Sequence, residues 1–147
     1  MATISLCMIV KNESAVLARC LDSIADLMDE IIIVDTGSTD NTKEIAAQYT
    51  SRIYDFKWTS DFSAARNFSF SKATMEYIYT ADADEILDDA NRERFLRLKG
   101  ALLPEIEIVQ MKYVTQGTFD TVLNAKNEYR PKLFRRLRTF TWIDPIH

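Results

Sequence analysis

Two short segments, Ile4–Val10 and Ile31-Ile32-Ile33-Val34, are apolar at nearly every position, and helix-spaced apolar residues follow the first of them. A strand that is apolar on both sides needs cover on both sides, and a parallel sheet flanked by helices supplies it. After Lys11-Asn12-Glu13 the apolar positions are Val16, Leu17, Cys20, Leu21 and Ile24, one face of a helix, with Asn12 or Ser14 expected as its cap. Asp35-Thr36-Gly37-Ser38 then turns the chain, and Thr39-Asp40-Asn41 offers N-caps for a second helix running to about Tyr49. Residues 52–56 read as a weaker third strand. Asp61 is expected to cap a helix carrying Phe62, Ala65, Phe68 and Phe70, and residues 77–80 form a fourth strand. This alternation predicts an α/β fold with a mostly parallel sheet and helices on both faces.

Beyond residue 90 the texture changes. Residues 91–99 read as a highly charged helix, and residues 106–114 mostly alternate apolar with polar, as suits a strand with one wet face. Further strand-like pieces fall at residues 118–123, 132–136 and 139–142, giving a smaller antiparallel C-terminal part.

At 147 residues the chain is expected to form a single domain with a sizeable core. Its net charge of −4 argues against nucleic acid as the main partner. No apolar run approaches the roughly 20 residues that cross a bilayer, so no transmembrane segment is expected. The first residues enter a strand directly, without a basic region followed by an apolar one, which predicts no signal peptide. Cys7 and Cys20 have neither metal-site nor redox-pair spacing and read as small buried hydrophobes in a reducing compartment. The expectation is a cytoplasmic domain, with peripheral contact at the inner face of the membrane left open.

Chemistry concentrates where strands end. Asp82-Ala83-Asp84-Glu85 puts three carboxylates on the loop leaving the fourth strand, the end at which open α/β sheets bind ligands. Such carboxylates repel one another unless a cation sits among them, and Mg²⁺ takes one or two of them and completes its shell with phosphate and water. A solvated acidic turn is the alternative reading of the motif by itself. Asp35 closes the second strand, where a carboxylate at the mouth of apolar strands needs a partner and can accept from a nucleobase N–H. Ser38, Thr39 and Asp40 read as helix caps. Val10-Lys11-Asn12-Glu13 closes the first strand, and its polar groups could hold ribose or phosphate beside a helix N-terminus. Capping is an equal alternative for Asn12, and solvation the better one for Lys11. Arg66 suits a diphosphate or, alternatively, a surface ion pair. Arg130, Lys132, Arg135, Arg136 and Arg138 read as the solvated face of an edge-like strand, where charge blocks aggregation, in preference to an anionic acceptor or membrane site. His147 is the single histidine and the last residue.

Taken in order, Val10-Lys11-Asn12-Glu13, Val34-Asp35-Thr36-Gly37-Ser38-Thr39-Asp40-Asn41-Thr42, Ala65-Arg66-Asn67 and Ala81-Asp82-Ala83-Asp84-Glu85 closely resemble the glycosyltransferase family 2 proteins, which have the GT-A fold. The resemblance covers essentially the whole chain. It implies a nucleotide-sugar-dependent inverting transferase, UDP-sugar favoured as donor, with Mg²⁺ or Mn²⁺ as cofactor and a role in cell-envelope polysaccharide biosynthesis. The acceptor, whether saccharide, lipid-linked or protein, is unspecified. By the resemblance, nucleotide binding falls to Val10, Asn12, Glu13, Asp35, Arg66 and Asp82, with Asp35 on the base, Arg66 near the diphosphate and Asp82 near the ribose. The metal falls to Asp84 of the DXD pair and to His147, similar to a histidine that the nearest subgroup follows with a Glu. The chain stops before that Glu, which suggests a domain truncated at its C-terminus. No catalytic base is assigned, and the role of Glu85 is open.

Other readings fit less well. A haloacid dehalogenase-type site wants Thr where Ile86 stands, and an EF-hand loop wants Gly where Leu87 stands. Nucleotidyltransferases use a Gly-rich first loop that Val10-Lys11-Asn12-Glu13 lacks. A non-catalytic fragment that binds a nucleoside diphosphate without transferring sugar is the main rival.

Overall fold

The computed structural model describes residues 2–101, 108–114 and 127–135, the last two stretches as backbone. Element order is β1 (Ile4–Val10), α1 (Leu17–Ile24), a 3₁₀ turn (Ala25–Leu27), β2 (Glu30–Asp35), α2 (Thr42–Ala46), β3 (Ile53–Asp55), α3 (Phe62–Lys72), β4 (Tyr77–Thr80), α4 (Asp89–Ala101), β5 (Ile108–Val114) and β6 (Asn127–Arg135). One six-stranded sheet runs β3-β2-β1-β4-β6-β5. The pairs β1/β2, β1/β4 and β2/β3 are parallel, and β4/β6 and β5/β6 antiparallel. The α/β class expected from the alternation is the one observed, with an antiparallel addition at the β4 side.

The strands are apolar on both sides because both sides are covered. Ile4, Leu6, Met8 and Val10 of β1 point into one core with Leu17, Cys20, Leu21 and Ile24 of α1, Ala46 of α2 and Phe95 of α4. From the other face, Cys7, Ile32, Val34 and Ile78 pack with Ala73 against Phe68 and Phe70 of α3. The β1–α1–β2 and β2–α2–β3 crossovers therefore share a face, and β3–α3–β4 changes to the other. That change makes the gap between the C-terminal ends of β1 and β4 the switch point at which ligands of such sheets sit.

Asp61 does cap α3, its Oδ1 accepting from Ala64 N–H at 3.2 Å. Neither Asn12 nor Ser14 caps α1. The cap position is Val16, without a side-chain bond, and the Glu13 carbonyl accepts from Val16 and Leu17 N–H. α2 ends at Ala46 rather than near Tyr49, because its last turn tightens, Gln48 and Tyr49 N–H bonding to Ile45 and Ala46 carbonyls. The third strand is shorter than residues 52–56.

β6, which holds Arg130, Lys132 and Arg135, lies between β4 and β5, paired with β4 over Leu133–Arg135, so the strand is not the edge expected for the basic run, although Arg130 pairs with β5 alone among the described residues. Among the described residues β5 takes the edge instead. Pro131 is tolerated in this inner strand because it pairs at the register shift between Val109 and Gln110. The expected strands at 118–123 and 139–142, Arg136, Arg138 and His147 all lie outside the described residues. Among the described residues no helix is long and apolar enough to cross a membrane.

Candidate functional site

The loops after β1, β2 and β4 meet at the carboxyl edge of the sheet. Parallel register places Val10 beside Asp35, and Asp35 beside Asp55 of β3. Val10 is fully buried, and its carbonyl accepts the Thr36 N–H at 3.0 Å. Asp35 is 2% exposed. One of its oxygens, Oδ1, accepts from the N–H groups of Gly37 and Ser38, both at 2.8 Å, a tight turn that Gly37 permits at φ 123°. The other, Oδ2, is buried and has no hydrogen-bond partner among the described residues. A buried carboxylate oxygen left open costs free energy unless a ligand donor meets it.

Asn12 sits at φ 52°, the left-handed region that Asn tolerates best after Gly. The reason is visible in its bonds. Its N–H donates to Ser38 Oγ at 2.8 Å, and its Oδ1 accepts from Thr39 N–H at 2.8 Å. Glu13 N–H donates to Thr42 Oγ1 at 2.9 Å and Ser14 N–H to Asp40 Oδ2 at 3.3 Å. The first two loops are thus clipped together. Ser38 and Thr39, expected as caps, serve this clip instead, while Asp40 Oδ1 does take the Thr42 N–H at the start of α2. The hydrogen bond from the Thr42 hydroxyl, with help from Ser14, holds the exposed Asp40 carboxyl down to about 2.

In the acidic loop, backbone alternation buries Ala81 and Ala83 in the core and leaves Asp82 and Asp84 exposed. Glu85 closes the turn, since its Oε1 accepts from Asp82 N–H and its own N–H donates to the Asp82 carbonyl, both at 3.0 Å. Arg66 on α3 lies over the Phe62 ring at 4.8 Å and lines a small pocket with Asp82, floored by Cys7 and Ser69. Burial lowers the pKa of Arg66, against the opposing charges of Asp82 and Glu85. Glu13 is held above the ordinary carboxylate range by burial and then by the charges of Asp84, Asp82 and Asp40. The edge therefore gathers carboxylate charge from three loops, with Arg66 within reach of Asp82 and Glu85.

No three His, Cys, Asp or Glu side chains among the described residues form a metal-holding group. The donor chemistry nevertheless suits a hard cation that takes one or two protein carboxylates and fills its shell with phosphate and water. Exposed Asp84 is such a donor. Thr42, which is fully buried and holds Glu13, escaped the sequence reading because only tertiary pairing brings residues 13 and 42 together.

A mostly parallel α/β sheet with polar and charged groups gathered at its switch point is the architecture of a ligand-binding or catalytic domain. The chain belongs to glycosyl transferase family 2, whose model matches residues 5–147. It is 33% identical over 132 residues to the SPbeta prophage-derived glycosyltransferase SunS of Bacillus subtilis, covering 87% of this chain and 31% of that protein. Over 87 residues it is 48% identical to a TPR repeat-containing protein of Synechococcus elongatus, covering 59% of this chain and 22% of that one. The chain thus spans less than a third of the length of either relative. Glucosyl-3-phosphoglycerate synthase from Mycobacterium tuberculosis, solved with Mg²⁺ and UDP and with Mn²⁺ and UDP-Glc, superposes at TM-score 0.51 and 27% identity over 58% of this chain and 34% of that one.

Proposed function

We propose that the 147 residues form one GT-A-type domain that transfers a sugar from a nucleotide-sugar donor, UDP-sugar favoured, to an acceptor hydroxyl with inversion. The observation that carries this reading is Asp35, whose buried Oδ2 is unpartnered at the end of β2 while its other oxygen accepts two backbone N–H groups. A nucleobase imide N–H is a donor of the right kind for it. The UDP and UDP-Glc complexes of glucosyl-3-phosphoglycerate synthase support uracil as that base.

With the base on Asp35, the clipped loops carrying Val10, Asn12 and Glu13 line the nucleoside, Asp82 faces the ribose and Arg66 meets the diphosphate. Asp84, joined by His147, would hold a divalent ion. Mg²⁺ or Mn²⁺ bound there supplies positive charge to the departing diphosphate. Arg66, stacked on Phe62 and partly screened from water, adds a fixed cation on the same side. In the displacement the acceptor oxygen bonds to the anomeric carbon as the carbon–phosphate-oxygen bond breaks, and a carboxylate base takes the hydroxyl proton. None of the described carboxylates is assigned as that base.

The test is release of UDP from a panel of UDP-sugars with Mn²⁺, with the anomeric configuration of any product followed by NMR. Metal-dependent UDP release with an inverted product is expected. Binding of UDP without release or transfer would instead make the chain a nucleotide-binding module. No binding or release with UDP-, GDP- or dTDP-sugars would reject the donor site altogether.

A further inference from the structure

The acidic loop does not stand by itself: one turn of α1 grips both of its ends. At the near end, the Cys20 thiol lies 3.6 Å from the Asp82 carbonyl and donates to it. At the far end, Leu87 N–H donates to Ser23 Oγ at 3.1 Å. Residues 20 and 23 are one turn apart and share a helix face, so the span from 82 to 87 is measured against a rigid ruler. Ser23 Oγ is itself oriented, because its hydroxyl donates to the Cys20 carbonyl at 2.7 Å. Arg92 of α4 locks the turn from outside, with Nη1 on the Ser23 carbonyl at 2.6 Å and both nitrogens on Asp26 at 2.9 and 2.6 Å. Between the two grips Ala83 is buried in the α1 core and Leu87 packs against that core, while Asp84 is left exposed at the crest.

We propose that Cys20 and Ser23 are positioning residues for the acidic loop, setting where the Asp84 carboxylate stands relative to the donor diphosphate. The inference rests on the donor-site reading above and adds to it the residues that aim the loop. A carboxylate on an unsupported turn would spend much of its time away from the productive position, and groups that orient a metal-holding side chain commonly contribute tenfold or so in affinity. Neither residue touches the donor. Their effect falls on the metal-dependent part of binding and spares the base contact at Asp35.

The experiment compares dissociation constants of UDP with Mn²⁺ and of uridine without metal, measured by calorimetry on the wild-type chain, Ser23→Ala, Cys20→Ala, Ser23→Thr, Cys20→Ser and Arg92→Ala. Loss of a grip is expected to weaken Mn²⁺-dependent UDP binding roughly tenfold while leaving uridine binding unchanged. The hydroxyl-bearing replacements Ser23→Thr and Cys20→Ser should recover most of it. Arg92→Ala leaves both grips in place and keeps a folded chain available if the α1 variants unfold; its expected effect is a smaller one of the same pattern. Thermal melting without ligand reads any purely structural cost, which would not change the ratio of UDP to uridine affinity. Equal affinities across the set, or equal weakening of UDP and uridine, would overturn the positioning role alone. No metal-dependent UDP binding in the wild type would overturn the donor-site reading, and this role with it.

Discussion

The two edges of the parallel sheet treat charge in opposite ways. At the amino edge each described charge is answered. Glu30, with its side chain 7% exposed, pairs with Arg52 and accepts from Ser5 Oγ at 2.6 Å and from Thr74 N–H and Oγ1, both at 2.9 Å. Lys99 reaches the Leu27 carbonyl at 3.0 Å and Asp29 at 2.8 Å, and Asp29 also takes the Ile4 N–H. These bonds tie the starts of β1, β2 and β4 to one another and to α4. At the carboxyl edge Asp35 keeps an unpartnered buried oxygen, and Glu13 is pushed up by burial and then by neighbouring carboxylates. One edge is satisfied within the fold, and the other keeps an unpartnered buried oxygen at Asp35 and mutually repelling carboxylates around Glu13, the pattern of a site that meets a ligand.

The largest expected break in this contrast is at Glu30. Replacement by Ala removes the carboxylate that Arg52, Ser5 and Thr74 share, leaving Arg52 with Tyr54 Oη and the Lys72 carbonyl, and is expected to lower stability by about 3 kcal/mol in urea unfolding. UDP affinity per folded molecule should not change. Asp35→Asn should do the reverse. Its Oδ1 still accepts from Gly37 and Ser38, but the open acceptor becomes a donor, which is expected to cost about 2 kcal/mol of UDP affinity, roughly thirtyfold. Folding stability should stay within about 0.5 kcal/mol of wild type.

Acid separates the edges by sign. Burial opposes the charge on Asp29, but the Lys99 hydrogen bond, the Ile4 N–H and the Lys99 charge hold its carboxyl below the ordinary value of 3.8. Its contribution is therefore complete above that value and is lost as the pH falls below it toward the folded one. Glu13 lies above its ordinary value of 4.5, so the folded state binds its proton more tightly and gains stability as the pH falls through the region just above 4.5. Asp29→Asn is expected to flatten the acid limb of a stability–pH curve measured by urea unfolding. Glu13→Gln, the smallest effect, should raise stability at pH 7 by a few tenths of a kcal/mol, about what relief of a partly exposed repulsion contributes.

Much of this contrast was legible in the chain. Ile4–Val10 and Ile31-Ile32-Ile33-Val34 announce two-sided burial, the ends of those strands carry the polar clusters, and Asp61 announces α3. What local pattern could not show is which distant groups answer a given polar residue. Asn12 looks like a cap, yet its partners are Ser38 and Thr39, and that pairing rather than capping explains its positive φ. Arg135 looks like an edge charge, yet it pairs with Tyr77 because β6 is inserted between β4 and β5 by long-range pairing. The grip of Cys20 and Ser23 on the acidic loop spans more than sixty residues of sequence. Local pattern indicates where a strand ends and what it presents, while the sheet decides what it meets.

The measurement that reaches the central claim most directly is calorimetric titration of UDP into the chain with Mn²⁺ and then with excess chelator, repeated on Asp84→Ala. UDP affinity is expected to fall by roughly tenfold or more when the metal is removed, and by as much in Asp84→Ala, with thermal stability kept. UDP binding that is the same with and without metal, and unaltered by Asp84→Ala, would contradict it.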